Sequence, residues 1–213
     1  VAGTNVEVSR DEYPNQYASQ WFFDLQRELP GDILFAVGYQ GAKATHLFGS
    51  RNINFGGPHP SIPANQRRLR PKWNSVALRD PCYNSSYNAL VAKAEKRFTK
   101  GLTFITSYTW SHNIDQNNES LDENLAGAAN PYDYRSERGN SGLDRRHSLV
   151  GSFTYEMPFG RGRAFGGAWR PALDAVLGGW QVGGILSLRT GIPYSVSYPG
   201  DPQNSGTANR GNR

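Results

Sequence analysis

A single cysteine, Cys82, in a chain of 213 residues excludes an internal disulfide framework and any multi-cysteine zinc centre. Cys82 is expected to be a loop thiol without a chemical role. Long apolar runs are missing too. The longest apolar window, residues 175–188, contains Gln181 and four glycines and is shorter than the roughly 18 residues a helical span needs. Mean hydropathy is −0.63, which excludes a bundle of membrane helices. It does not exclude a β-barrel, whose lumen and loops are polar. Charge of one sign is scarce: Lys and Arg exceed Asp and Glu by only five. No zinc-finger, helix-turn-helix or RNA-binding signature accompanies that excess, so nucleic acid is not expected as a partner.

Motifs of catalysis are absent as well. There is no G-x-S-x-G, no H-E-x-x-H and no P-loop. Gly160-Arg161-Gly162 lacks the third glycine of a dinucleotide fingerprint and reads as a turn. The four histidines, His46, His59, His112 and His147, lie far apart. His112 and His147 are expected at neighbouring strand ends beside Asp144. With no third ligand at metal spacing, they read as interface residues. No catalytic, cofactor-binding or metal-ligating residue is assigned, and the chain is not expected to be an enzyme.

What is present is strict alternation over long segments. From Ala89, Leu90, Ala92, Ala94 and Phe98 fall on one face, with Val91, Lys93, Glu95 and Arg97 on the other. After the turn Thr99-Lys100-Gly101, Phe104, Thr106, Tyr108, Trp110 and His112 alternate with Thr103, Ile105, Ser107, Thr109 and Ser111. A period of two means extended strand. Strands of about ten residues approach the roughly 9–11 tilted residues that cross a bilayer. One apolar face with aromatics toward the ends, against one small and polar face, is the pattern of an outer-membrane barrel wall.

The rest of the chain repeats it. Trp21, Phe23 and Leu25 lead through the turn Leu29-Pro30-Gly31-Asp32 into Ile33, Phe35, Val37 and Tyr39. Leu149, Phe153 and Tyr155 form the apolar face of a fifth strand, opposite Glu156. Trp180, Val182, Leu186 and Leu188 open a sixth and longest strand running to Tyr198, opposite Gln181 and Arg189. Lipid contact is therefore expected for Trp21, Phe23, Leu25, Ile33, Phe35, Val37, Leu90, Ala92, Ala94, Phe104, Tyr108, Trp110, Leu149, Phe153, Tyr155, Trp180, Val182, Leu186 and Leu188. Lys93, Glu95, Arg97, Glu156, Gln181 and Arg189 are expected to face the lumen. Lys93, Glu95 and Arg97 are expected to pair with opposite charges on neighbouring strands, Glu156 among them, before they contact any substrate.

Connections alternate short (30–32), long (43–85, of which Thr45 to Ile53 can alternatively continue the strand beyond the membrane), short (99–101) and long (113–144), then intermediate (158–179), where Pro171 to Leu177 suits a short helix opening on proline. An up-and-down barrel keeps short turns on the periplasmic side and long loops outside. A soluble sandwich needs turns every 8–12 residues or so. The long loops carry opposite charge. Arg67, Arg68, Arg70 and Lys72 are expected either to pack against the acidic stretch 115–137, Asp122 and Glu123 included, or to stand with it as two independently solvated loops.

The expected fold is all-β: an antiparallel up-and-down transmembrane β-barrel wall segment of about six long strands with long polar loops. Residues 1–18 read as an irregular lead-in, 19–198 as barrel segment and 199–213 as polar loop or truncated tail. The first residues carry no charged-then-apolar leader and the last lie in a Gly/Asn-rich run, so a piece of a longer protein is expected.

Particular stretches also resemble a known family. Tyr87-Asn88-Ala89-Leu90, Lys96 through Leu102 and Ser107-Tyr108-Thr109-Trp110-Ser111 resemble the barrel of TonB-dependent receptors of the Oar-like group, which carry a carboxypeptidase-regulatory-like domain. Gln26 to Gly31, Asp144-Arg145-Arg146-His147, Tyr155 to Gly160, Gly178 to Gln181 and Gly191-Ile192-Pro193-Tyr194 agree in order and spacing. The resemblance implies a 22-stranded barrel in the bacterial outer membrane, with an internal plug, the inner-membrane TonB complex as partner, and energised uptake or surface binding of a nutrient. It leaves the substrate, a small molecule, sugar or peptide, open, and implies no cofactor. No TonB box or plug is recognisable in these residues. Two alternatives remain: a small self-contained barrel or adhesin, and a secreted carbohydrate-binding β-sandwich.

Overall fold

The computed structural model describes residues 3–116, 130–194 and 204. Its strands are β1 (Thr4–Val8), β2 (Tyr17–Leu29), β3 (Ile33–Asn52), β4 (Trp73–Thr99), β5 (Leu102–Asp115), β6 (Gly139–Asn140), β7 (His147–Glu156) and β8 (Gln181–Arg189). One helix, α1 (Pro171–Leu177), starts on the proline as its sequence suggests. Among the described residues no helix is long and apolar enough to cross a membrane.

All eight strands join one sheet, with the path β2-β3-β4-β5-β7-β8 antiparallel throughout. The sheet is open: β2 and β8 form its two edges. Short turns lie at one end. Lys100 (φ 51°) and Gly101 (φ 78°) make a two-residue hairpin turn with positive φ at both positions, the geometry that matches strand twist. Between β2 and β3, Pro30, Gly31 (φ 89°) and Asp32 (φ 58°) make a three-residue turn closed by the pair Leu29↔Ile33. The connections after β3 and after β5 lie at the other end, whereas the one from β7 to β8, which holds α1, lies at the end of the short turns.

Directly paired residues share a face, so the register carries each face across the whole sheet. Trp21 pairs with Gly41, Phe23 with Tyr39 and Leu25 with Val37. Val37 continues to Ala92, Tyr108, Leu149 and Leu188. Phe35 continues to Ala94, Thr106, Gly151 and Leu186. Aromatic rings lie over partner glycines: a Cβ on Gly41 would come within 2.3 Å of the Trp21 indole, and one on Gly184 within 2.8 Å of the Phe153 ring.

Three expectations are corrected. The supposed loop 43–85 is mostly strand, because β3 runs on to Asn52 and β4 begins at Trp73, leaving only 53–72 as its tip. The run of β3 to Asn52 is the strand continuation that residues 45–53 allow; the part of β4 over 73–85 is the correction, its polar composition being as compatible with strand as with loop. Pro81 is tolerated because a shift in register, with His46 at φ 60°, separates Ala44↔Ser85 from Leu47↔Tyr83, and a second at Gly49↔Asp80 restores it. The lead-in is not wholly irregular: β1 pairs in parallel with β4 from Trp73 to Leu78, and β2 already starts at Tyr17. The last strand ends at Arg189 and not at Tyr198, so β4, with 27 residues, is the longest. Gly191 and Pro193 follow directly, and proline has no N–H for the ladder. Residues 195–198 lie outside the described part.

Buried residues gather in two places. Ala36, Ala89 and Val91 are covered between β3 and β4 on the small, polar face. At the long-loop end, Asn54, Phe55, Val76, Asp80 and Tyr83 are each less than 9% exposed.

Candidate functional site

Every residue expected to meet lipid lies on one continuous face, or, for Trp180, one residue before β8 in the same alternation. Its indole N–H donates to the Val176 carbonyl at 2.8 Å, tying the strand to α1. The face is open: Phe23 is 62% exposed and Leu25 64%. Its short-turn end carries a residue that the sequence reading passed over. Lys96 pairs with Ile33 and Phe104 on the apolar face, and its ammonium donates to the Gly31 carbonyl at the turn. At the other end Tyr39 donates to Asn88 Oδ1 at 2.7 Å, and Tyr108 stacks on and hydrogen-bonds His147 at 2.8 Å. Polar partners thus begin where the apolar band ends.

The opposite face holds Lys93, Glu95, Glu156, Gln181 and Arg189. Arg97 lies in the irregular stretch before the turn, its N–H on the Asp32 carbonyl. The expected pairing of this group with Glu156 is not formed. Glu156 instead binds Arg163 from the β7–β8 connection at 2.7 Å, because β5 separates β4 from β7. Lys93 sits across from Ala36 and Ser107.

The same face carries a depression near the long-loop end. Gln20, Phe22, Gln40, Ala42 and Tyr87 line about 380 Å³ there, with Trp21 and Gly41 at its border. A second depression of about 220 Å³, with Asp24, Gly38, Val91 and Lys93, shares Phe22 and Gln40 with it. Phe22 is 83% exposed, an aromatic on a face otherwise of small and polar residues.

Above the sheet the two long connections dock on each other. Arg51 pairs with Asp80 at 2.8 Å, donates to the Pro131 carbonyl at 3.3 Å, and places its guanidinium 5.6 Å from the Tyr134 ring centre. Tyr134 meets Tyr83 edge-on, and Gln116 ties the Asn84 amide to the Tyr134 carbonyl. Arg10 also reaches Asp80, and Glu7 on β1 pairs with Arg79. Asn54, 1% exposed, closes the tip through Arg70 and the Trp73 carbonyl. Burial pushes the Cys82 thiol above its ordinary 9.0, against a hydrogen bond with Tyr134 that lowers it. Burial likewise moves Tyr134 from 10.0 to about 12.

This docking differs from the expected one. Arg67 donates to the Ile62 and Asn204 carbonyls, Arg68 to Asn74 Oδ1, and the Arg70 amide to Asn54. Lys72 precedes β4. Asp122 and Glu123 lie outside the described residues. Neither Arg51 nor Tyr134 belongs to a charge run or an alternation, so no local signal marks them. His112 and His147 lie at the loop-side ends of neighbouring strands near Asp144, as expected, and bind different partners: His112 bonds Asn140, His147 bonds Tyr108, and Asp144 takes Arg146 and the Asn113 amide. No group of three or more His, Cys, Asp or Glu gathers among the described residues.

One comparison decides the family. The model for the outer membrane beta barrel domain matches residues 1–213. The chain belongs to that family. It is an all-β, outer-membrane barrel protein of bacteria that associates with membrane lipid. The search of curated proteins and that of solved structures found no match.

Proposed function

We propose that this chain is part of the wall of a TonB-dependent receptor that takes up or binds a nutrient, and that it performs transport and not catalysis. The carrying observation is the mainly apolar face that continues across six strands, from the hairpin turns to the docked loops. In this reading that face meets lipid, and the face with Lys93, Glu95, Gln181 and Arg189 lines the lumen. The open edges at β2 and β8 support further strands and a plug from the same protein. Unpaired backbone groups in lipid cost several kcal/mol each.

The decisive experiment follows the native polypeptide in isolated outer membranes of energised cells. The expected result is a mass several times 23.6 kDa, and solute uptake lost when the inner-membrane energising complex is removed. A native chain near 23.6 kDa would leave a small closed barrel, and uptake indifferent to that complex would overturn the receptor reading.

A further inference from the structure

We propose that the depression around Phe22 is a subsite for a neutral, hydroxyl-rich ligand, a mono- or disaccharide. The proposal rests on the receptor reading and names its substrate class.

Two rungs of the sheet build it. Gln20, Ala42 and Tyr87 form one, and Phe22, Gln40 and Ala89 the next. Small residues in the middle, Ala42 beside the Gly41 backbone, make a floor. Two amides and two aromatic rings stand around it. The volume of 380 Å³ falls within the roughly 300–1,000 Å³ of small-molecule sites. Among the described residues no hydrogen bond engages the side chains of Gln20, Gln40 or Tyr87, whereas neighbouring Gln26 is bound to Asp24 and Tyr39 to Asn88. Three polar groups without protein partners thus converge beside an aromatic ring that is mostly exposed.

That inventory matches a sugar. Each amide offers two donors and an acceptor with two lone pairs, and a phenol offers both roles. Sugar hydroxyls need the same mixture, and the C–H side of a pyranose lies flat on an aromatic ring. A ferric chelate of high negative charge needs several cations. Here the nearest charges, Asp24 and Lys93 in the adjoining 220 Å³ depression, are opposite in sign. A dry contact with another part of the chain would leave three polar groups desolvated at about 1–3 kcal/mol each, which disfavours a plug segment as the occupant.

The test uses the full-length receptor purified from outer membranes in detergent. Binding of maltose, cellobiose, tri-alanine and ferric citrate is followed by calorimetry. One of the two disaccharides is expected to bind. Phe22→Ala and Gln40→Leu are each expected to weaken it about tenfold, while Phe23→Ala, on the other face, leaves it unchanged. Binding of tri-alanine or ferric citrate in place of sugar, sugar binding indifferent to Phe22→Ala and Gln40→Leu, or no sugar binding by a barrel that inserts correctly overturns the proposal. Absence of the protein from the outer membrane would instead remove the receptor reading beneath it.

Discussion

An arginine at Ala92 tests the assignment of the two faces. Ala92 lies midway along the apolar band, paired with Val37 and Tyr108. The first polar residues on this face of its own strand are Asn88 and Lys96, each four residues away. At ~3.3 Å per residue they lie about 13 Å off along the strand. With strands tilted by roughly 40°, that is ~10 Å toward either surface. An arginine side chain cannot bridge that distance fully by snorkelling, so its guanidinium stays in hydrocarbon. The expected cost is about 2–4 kcal/mol, or about 30- to 900-fold in the folding constant. Ser152→Arg is the control. Ser152 pairs with Ile105 and Ile185 on the other face and shares a shallow depression with Glu95. Its expected cost is near zero. Both variants of the native barrel protein would be titrated with urea in phospholipid vesicles and followed by tryptophan fluorescence. Equal destabilisation by the two, or a larger loss from Ser152→Arg, would refute the argument.

Three further outcomes concern the loop end. Arg51→Ala leaves Asp80, 5% exposed, with Arg10 alone, and is expected to cost about 3 kcal/mol locally; limited proteolysis of whole cells should then cut near residues 130–138 first. Gly49→Ala drives a Cβ to within 1.8 Å of the Tyr83 ring, which is 2% exposed and has no room to retreat, so the same assay should detect a loss of about 1–3 kcal/mol. Tyr134 keeps its proton in the folded loop up to about pH 12 but releases it near 10 when unfolded. Its contribution is therefore complete below pH 10 and falls away as pH rises through 12. Tyr134→Phe should flatten the loss of protease protection in that window, and a slope unchanged by the substitution would show that Tyr134 is not its source.

The sequence by itself determined the membrane-crossing part. A strand fully exposed on one side to hydrocarbon and on the other to a lumen must alternate, so Trp21 to Leu25, Leu90 to Ala94 and Tyr108 to Trp110 declare their faces without knowledge of their neighbours. Turn chemistry declared the hairpins at Gly31 and Gly101, and Pro171 the start of α1. Tertiary structure decided the rest. The sequence allows β3 to run on over 45–53, but the matching extension of β4 over 73–85 shows only through its pairing with β3 and β1, because polar residues there suit a loop equally well. The partner of Glu156 depends on β5 lying between it and β4. The docking of Arg51 on Asp80 and Tyr134, and the meeting of Gln20, Phe22, Gln40 and Tyr87, join residues from separate strands and loops. Contacts between distant residues are set by register and chain path, and no periodicity within one segment encodes them.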